Sequence, residues 1–288
     1  MTVLLEEMPK ADTAFHMPPA NSTPSPQPSN PALTTTSPNQ PPAALPATAL
    51  TNQPSRSAAL AQVIKLDGSF NTRCFGGQNP WLVRSGNLDN LTDLGKAQLA
   101  ALGLQRVVDL RDPAEKGANT QHHRFPTVSI PIFGQIGEPG KQHSFTSYYR
   151  IILQRNGGPL ARAVAAIAQA SGPALVHCAI GKDRTGLVVA LVLLAAGATH
   201  EQVVADYARS AAGQPASRVA AVTKQLAELG LVPGSVQAVE HLQRELASPP
   251  EAMTNALAYL DEVGGWRNYL LTHGVSQLLL NRLADRPL

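Results

Sequence analysis

The decapeptide His177 to Gly186, H-C-A-I-G-K-D-R-T-G, sets a cysteine and an arginine at opposite ends of a loop sized for a phosphate group. Such a pair could cleave a phosphate ester through a cysteinyl-phosphate intermediate. Cys178 would be the nucleophile, and the backbone N–H groups of Ala179, Ile180, Gly181, Lys182, Asp183 and Arg184 would hold three phosphoryl oxygens. The planar guanidinium of Arg184 would grip two of those oxygens with paired hydrogen bonds, a geometry that lysine cannot reproduce. The hydroxyl of Thr185 can donate to the cysteine sulfur and make it a better leaving group when water cleaves the phosphoenzyme, and His177 can orient the cysteine backbone. Of Gly181 and Gly186, one suits a backbone turned sharply around an anion and the other lets a helix start close to its neighbours. Chemistry of this kind needs neither a metal nor a cofactor.

The flanks predict how the loop is held. Pro173 to His177 is a short apolar run that follows Gly172, and Leu187 to Ala196 is a longer one that ends at Gly197. The pattern predicts strand, loop and buried helix. A helix beginning near Arg184 and Thr185 aims its unpaired N–H groups and positive dipole end at the loop mouth, where an anion belongs. Helix N-termini and nearby cations favour thiolate over thiol, whose free value is about 8.5. Cys178 is therefore expected to act as a nucleophile at neutral pH. Against this stand an inert buried cysteine, a phospho-ligand binding module without catalysis, and a redox sensor using Cys178 with Cys74, the only other cysteine. The complete decapeptide on a strand-loop-helix pattern favours the enzyme, because no group the reaction needs is missing.

The motif resembles the cysteine phosphatase superfamily, and specifically the atypical bacterial tyrosine phosphatases of triple specificity that also act on phosphoinositides. The resemblance runs from about Gln62 to the C-terminus. Phe70 to Gly77 (F-N-T-R-C-F-G-G) is similar to that family's N-F-R-D-x-G-G, Val83 to Leu88 to its R-S-x-x-L, and Val107 to Asp112 to its D-L-R segment. Ala205 to Ser210 and Asn268 to Ser276 resemble its later helices. Two departures stand out. Cys74 replaces the usual aspartate of N-F-R-D, removing any bracing role of that carboxylate, and Gly264-Gly265-Trp266 replaces a Y-G-S.

Hydrolysis also needs a proton for the leaving oxygen. The chain has no W-P-D tripeptide, and the resemblance implies Asp183 as the acid; Asp109, expected where a strand ends near the rim, is second and Asp112 third. The competing role for Asp183 is to brace the loop by accepting hydrogen bonds from backbone or from Arg73. Lys182 bears on the substrate, because a second fixed cation could meet further phosphates on an inositol ring, as the resemblance implies, or could simply be a solvated lysine. Phosphotyrosine calls instead for a partly aromatic slot; aromatics make up 5% of the chain, with Tyr148 and Tyr149 the nearest thing to a cluster. Phosphotyrosyl proteins and phosphoinositides both stay open as substrates.

Composition bounds the rest. Half of the 24 prolines lie at or before Pro54, in a stretch rich in Ser, Thr, Asn, Gln and Ala. Residues 1–58 are therefore expected to be a disordered tail, and residues 59–288 the phosphatase domain. Met1 to Leu5 followed by Glu6 and Glu7 is not a secretory signal, so a cytoplasmic setting is expected, with export as an effector the alternative. A net charge of +3 argues against nucleic acid as a main partner and is compatible with transient contact with an anionic membrane surface. Strand-like runs (Arg106 to Leu110, Val128 to Phe133) alternate with helical ones (Leu94 to Leu102, Tyr149 to Ala170 with an interruption at Gly157-Gly158). That alternation predicts an α/β fold with a parallel-rich central sheet flanked by helices. Ser217 to Leu229 and Val236 to Leu246 read as two amphipathic helices, and the resemblance implies that residues 214–249 form a two-helix lid over the site.

Overall fold

The computed structural model describes residues 60–117, 125–133 and 145–288; the expected tail, residues 1–58, lies outside them. Among the described residues one sheet runs through Ala61–Val63 (β1), Arg73–Phe75 (β2), Leu82–Ser85 (β3), Arg106–Asp109 (β4), Thr127–Ser129 (β5) and Ala174–His177 (β6). The spatial order is β1-β2-β3-β6-β4-β5. β3, β6, β4 and β5 are parallel neighbours, and β1-β2-β3 form an antiparallel meander at one edge.

Strand side chains alternate between faces, and the sequence uses that alternation to make two cores. Leu82, Val108, Ala174 and Val176 belong to the larger cluster, while Val83, Val107 and Leu175 belong to the smaller one. The smaller face is closed by Asp93–Ala101 (α1) through Leu99. The larger is covered by Phe145–Arg155 (α2), Gly157–Ala168 (α3), Asp183–Ala195 (α4) and His200–Ala208 (α5). Ala216–Glu228 (α6) and Val236–Leu246 (α7) follow as a helical hairpin, and Pro250–Glu262 (α8), Gly265–Thr272 (α9) and Gln277–Ala284 (α10) return to the larger core. From Arg184 to Ala195 every residue of α4 is buried, which is why its sequence reads as an unbroken apolar run rather than an amphipathic stripe. No helix among the described residues is long and apolar enough to cross a membrane.

The interruption expected at Gly157-Gly158 in the helical run Tyr149 to Ala170 falls at Asn156, with Gly157 opening α3. The strand expected over Val128 to Phe133 is shorter. β5 stops at Ser129, two residues before Pro131, which has no N–H for a ladder bond, and its exposed residues mark it as a sheet edge. The capping box at Thr199 and Gln202 is formed: the Thr199 hydroxyl accepts from the Gln202 N–H and the Gln202 side chain accepts from the Thr199 N–H.

Candidate active site

Three parallel strands end together. Ser85, His177 and Asp109 are register partners at the C-terminal ends of β3, β6 and β4, the edge at which open α/β sheets carry their sites. Residues 178–182 cross from the end of β6 to the start of α4.

The loop is shaped from outside. The Ala179 carbonyl accepts from the backbone N–H and side-chain amide of Asn87, at 3.0 and 3.2 Å. The carbonyls of Ile180 and Gly181 accept from Asn71 Nδ2 at 3.2 and 3.0 Å, and Gly181 also accepts from Arg84 Nη2 at 2.7 Å. In a trans peptide the C=O and the following N–H point in opposite directions. Holding these three carbonyls outward therefore turns the N–H groups of Ile180, Gly181 and Lys182 inward. The Gly181 N–H donates to Cys178 Sγ at 3.2 Å. Gly181 has φ +73°, and a Cβ there would lie 2.3 Å from the Ser85 carbonyl oxygen, so only glycine fits.

Behind the loop, Asp206 from α5 receives Arg73 Nε at 2.6 Å and Arg84 Nη1 at 2.5 Å. All three side chains are buried. Burial pushes the Asp206 carboxyl up, but the charges of Arg84 and Arg73 outweigh it and the group is held below the ordinary carboxylate range. Burial, and then the charge of Arg84, lower the Arg73 guanidinium to about 10. Arg73, Arg84 and Asp206 all lie in segments that resemble the family's, and nothing in their spacing marks a role for Arg84 or Asp206. The structure makes them the loop's buried support, with Asn71 tied in through Arg73 Nη1 at 2.5 Å.

Arg184 is buried and already fixed in direction. Glu115, in the short 3-10 turn Pro113–Glu115 after β4, accepts from Nη1 at 2.5 Å and from Nη2 at 2.6 Å, and the guanidinium carbon lies 4.9 Å from the centre of the Phe133 ring. Burial works against the cation, yet hydrogen bonding to Glu115 and the charge of Cys178 raise its pKa further. Glu115 holds the fork by its two terminal nitrogens, which leaves the edge carrying Nε for an oxyanion. Nothing in the local spacing marked Glu115.

The remaining expected residues fall into place differently from one another. His177 Nδ1 lies 3.2 Å from the Cys178 carbonyl, which can only accept, so the histidine does meet the cysteine backbone. Thr185 is fully buried, but its hydroxyl has no hydrogen-bond partner among the described residues and does not reach Cys178; the sulfur takes the Gly181 N–H instead. A Cβ at Gly186 would lie 3.3 Å from the Tyr207 ring, so glycine lets α4 pack there. Lys182 is not a solvated lysine. It is buried, and its ammonium donates to the carbonyls of Arg244 at 2.6 Å and Ala247 at 3.2 Å, at the C-terminal end of α7.

The three acid candidates separate as well. Asp109 is buried between Arg111 Nε at 3.1 Å and Lys116 at 3.3 Å, with His177 Nε2 3.9 Å away. Burial would raise it, but the Arg111 hydrogen bond and the His177 imidazole bring it down to about 2. A carboxyl that is ionised at neutral pH and pinned on both oxygens is a poor proton donor, so the geometry at the second-choice acid favours bracing. Asp112 Oδ2 stands 3.9 Å from Arg184 Nη1 at the rim. Asp183 opens α4, is partly exposed, and is not braced by Arg73; its Oδ1 accepts from Tyr149 at 2.6 Å. Tyr149, expected near an aromatic slot, is fully buried and points its hydroxyl at this carboxylate. Cys74 lies in the smaller core cluster and Cys178 in the larger, both as free thiols, and burial raises the Cys74 pKa. Among the described residues no group of His, Cys, Asp and Glu gathers to hold a metal ion.

A model of the tyrosine phosphatase family matches residues 64–288. The triple specificity protein phosphatase PtpB of Mycobacterium tuberculosis is 31% identical over 244 residues, covering 70% of this chain and 88% of that protein. A tyrosine-protein phosphatase of Nostoc commune is 32% identical over 158 residues, covering 46% of this chain and 50% of that protein. The crystal structure of P. aeruginosa TpbA aligns with 76% of this chain and 99% of its own at 18% identity and a TM-score of 0.42.

Proposed function

We infer that this chain, which belongs to the tyrosine phosphatase family, hydrolyses phosphate monoesters with Cys178 as nucleophile, Arg184 as phosphate clamp and Asp183 as acid. The observation that carries these roles is the loop itself: carbonyls tied outward, N–H groups turned inward around Cys178, and Arg184 held by Glu115 at its far end. In the first step the Cys178 thiolate attacks phosphorus in line. The S–P bond forms as the ester P–O bond breaks, and the leaving oxygen takes the Asp183 proton. In the second step water attacks the cysteinyl phosphate and gives its proton to the Asp183 carboxylate. The S–P bond then breaks and the thiolate returns. The N–H groups and the guanidinium stabilise the charge that develops on the equatorial oxygens.

Its substrates are phosphotyrosyl proteins and phosphoinositides. Support for the second class comes from Lys182, a cation within the loop beyond what one phosphate needs, and from the mycobacterial relative, whose name claims more than one specificity. The α6–α7 hairpin acts as a lid, tied to the loop through Lys182 and internally by Arg218 and Glu245 at 2.5 Å. Contact with anionic membrane is transient, and the setting is cytoplasmic, as two free thiols suit; a translocation reporter fused to residues before Arg56 tests the export alternative.

The test is phosphate release from a phosphotyrosyl peptide, a phosphoseryl peptide and short-chain mono- and polyphosphoinositides. Wild type is expected to turn over tyrosyl and inositide substrates, and Lys182→Ala to lose roughly ten-fold on polyphosphoinositides and much less on the peptide. No turnover with ligand still bound would reduce the chain to a binding module. Lys182→Ala is also expected to speed alkylation of Cys178 by iodoacetamide several-fold, because the lid loses its anchor. Removing a nearby cation acts in the opposite sense by disfavouring thiolate, so slower alkylation would count against a lid.

A further inference from the structure

A chain of two buried phenols ends on the loop carboxylate. Tyr149 from α2 is fully buried, and its hydroxyl lies 2.6 Å from Asp183 Oδ1 and 2.7 Å from the hydroxyl of Tyr207 on α5. The two rings meet edge to face, with centroids 5.6 Å apart. Tyr149 has one hydroxyl proton. With a carboxylate as acceptor that proton goes to Asp183, and Tyr207 must then donate to the Tyr149 oxygen. Burial, and then the nearby charge of Asp183, raise both phenols well above their usual range, so both remain donors at any working pH.

We propose that Tyr149, backed by Tyr207, is a positioning residue for the leaving-group proton. By occupying Oδ1 it fixes the rotamer of Asp183 and leaves Oδ2 to carry the proton and face the departing ester oxygen. The surroundings agree. The Lys182 ammonium is 3.6 Å from the same Oδ1 but is committed to the α7 carbonyls, and Arg184, whose charge Asp183 also feels, is held by Glu115. The charge of Arg84 also acts on Tyr207. Tyr149 is therefore the described group placed to set the carboxyl's direction by a short hydrogen bond. The proposal rests on Asp183 being the acid, and the experiment separates the two.

The measurement is kcat/KM, which reports formation of the cysteinyl phosphate, across aryl phosphates from p-nitrophenyl phosphate to phenyl phosphate. An acidic phenol departs without help, and a basic one needs the proton. Tyr149→Phe is expected to lose about ten-fold more on phenyl phosphate than on p-nitrophenyl phosphate, steepening the dependence on leaving-group basicity. Tyr207→Phe should steepen it in the same direction by less. Asp183→Asn should steepen it most, and adding Tyr149→Phe to it should add nothing. A loss of equal size on every ester in Tyr149→Phe, or no steepening in it while Asp183→Asn steepens, overturns the positioning role alone. A flat response in Asp183→Asn overturns the acid assignment and the proposal with it. Should Tyr149→Phe fail to fold, as judged by its thermal melt, the same reading is taken from Tyr207→Phe, where an unchanged slope counts against the proposal.

Discussion

Cys178→Ser is expected to bind a phosphotyrosyl peptide and release no phosphate from it above a rate lowered by about 10⁴-fold or more, the scale on which removal of a nucleophile acts. Serine keeps the shape of the loop. The Gly181 N–H that now meets the sulfur at 3.2 Å would meet a hydroxyl, and the carbonyls tied to Asn71, Arg84 and Asn87 would stay in place. What is lost is the sulfur nucleophile, since a serine hydroxyl without a general base to take its proton attacks phosphorus poorly. Calorimetric titration with the peptide should therefore show binding, while single-turnover assays show neither a burst of released alcohol nor a covalent phosphoprotein. Turnover within ten-fold of wild type would mean that another group attacks phosphorus.

The second large effect is on stability. Asp206→Ala is expected to cost about 3–5 kcal/mol, because it leaves Arg73 and Arg84 buried beside each other without the carboxylate that both now share. At roughly 2–4 °C per kcal/mol for a domain of this size, thermal melts should fall by about 10 °C. The loop should suffer too, since Arg84 spans from Asp206 to the Gly181 carbonyl. The pH dependence has a definite sign. The folded carboxyl sits below its unfolded value, so its contribution is complete above the ordinary carboxylate range and disappears as pH falls through the folded value. Wild type should lose stability between neutral pH and the acid limb more steeply than Asp206→Ala. Equal slopes would show that Asp206 is not the group being titrated.

The loop was legible because its information is local. Cysteine, glycines, lysine, aspartate and arginine lie within one turn between an apolar strand and an apolar helix, and strand and helix periods depend only on near neighbours. The partners of those residues were not legible. Glu115 meets Arg184 from 69 residues away and Tyr149 meets Asp183 from 34, through a turn and a helix whose docking no spacing rule encodes. Asp109 stayed ambiguous for a related reason. A strand-end aspartate in a D-L-R segment is consistent with an acid or a brace, and only the folded position of Arg111 and Lys116 bears on the choice. Lys182 could be read as a substrate contact or as solvated, but not as a donor to a helix more than 60 residues downstream.

That last contact ties two equilibria together. The Lys182 ammonium sits on the last carbonyls at the C-terminus of α7, where a helix dipole welcomes a positive charge. An anion that drew the ammonium into the loop would take it away from those carbonyls, so such a ligand and the helix would compete for one cation. By reciprocity, whatever free energy a second phosphate spends in loosening α7, a firmly seated α7 subtracts from the affinity for that phosphate. Arg218 and Glu245, which pair across the hairpin at 2.5 Å, would through that balance bear on the affinity for a second phosphate without touching it.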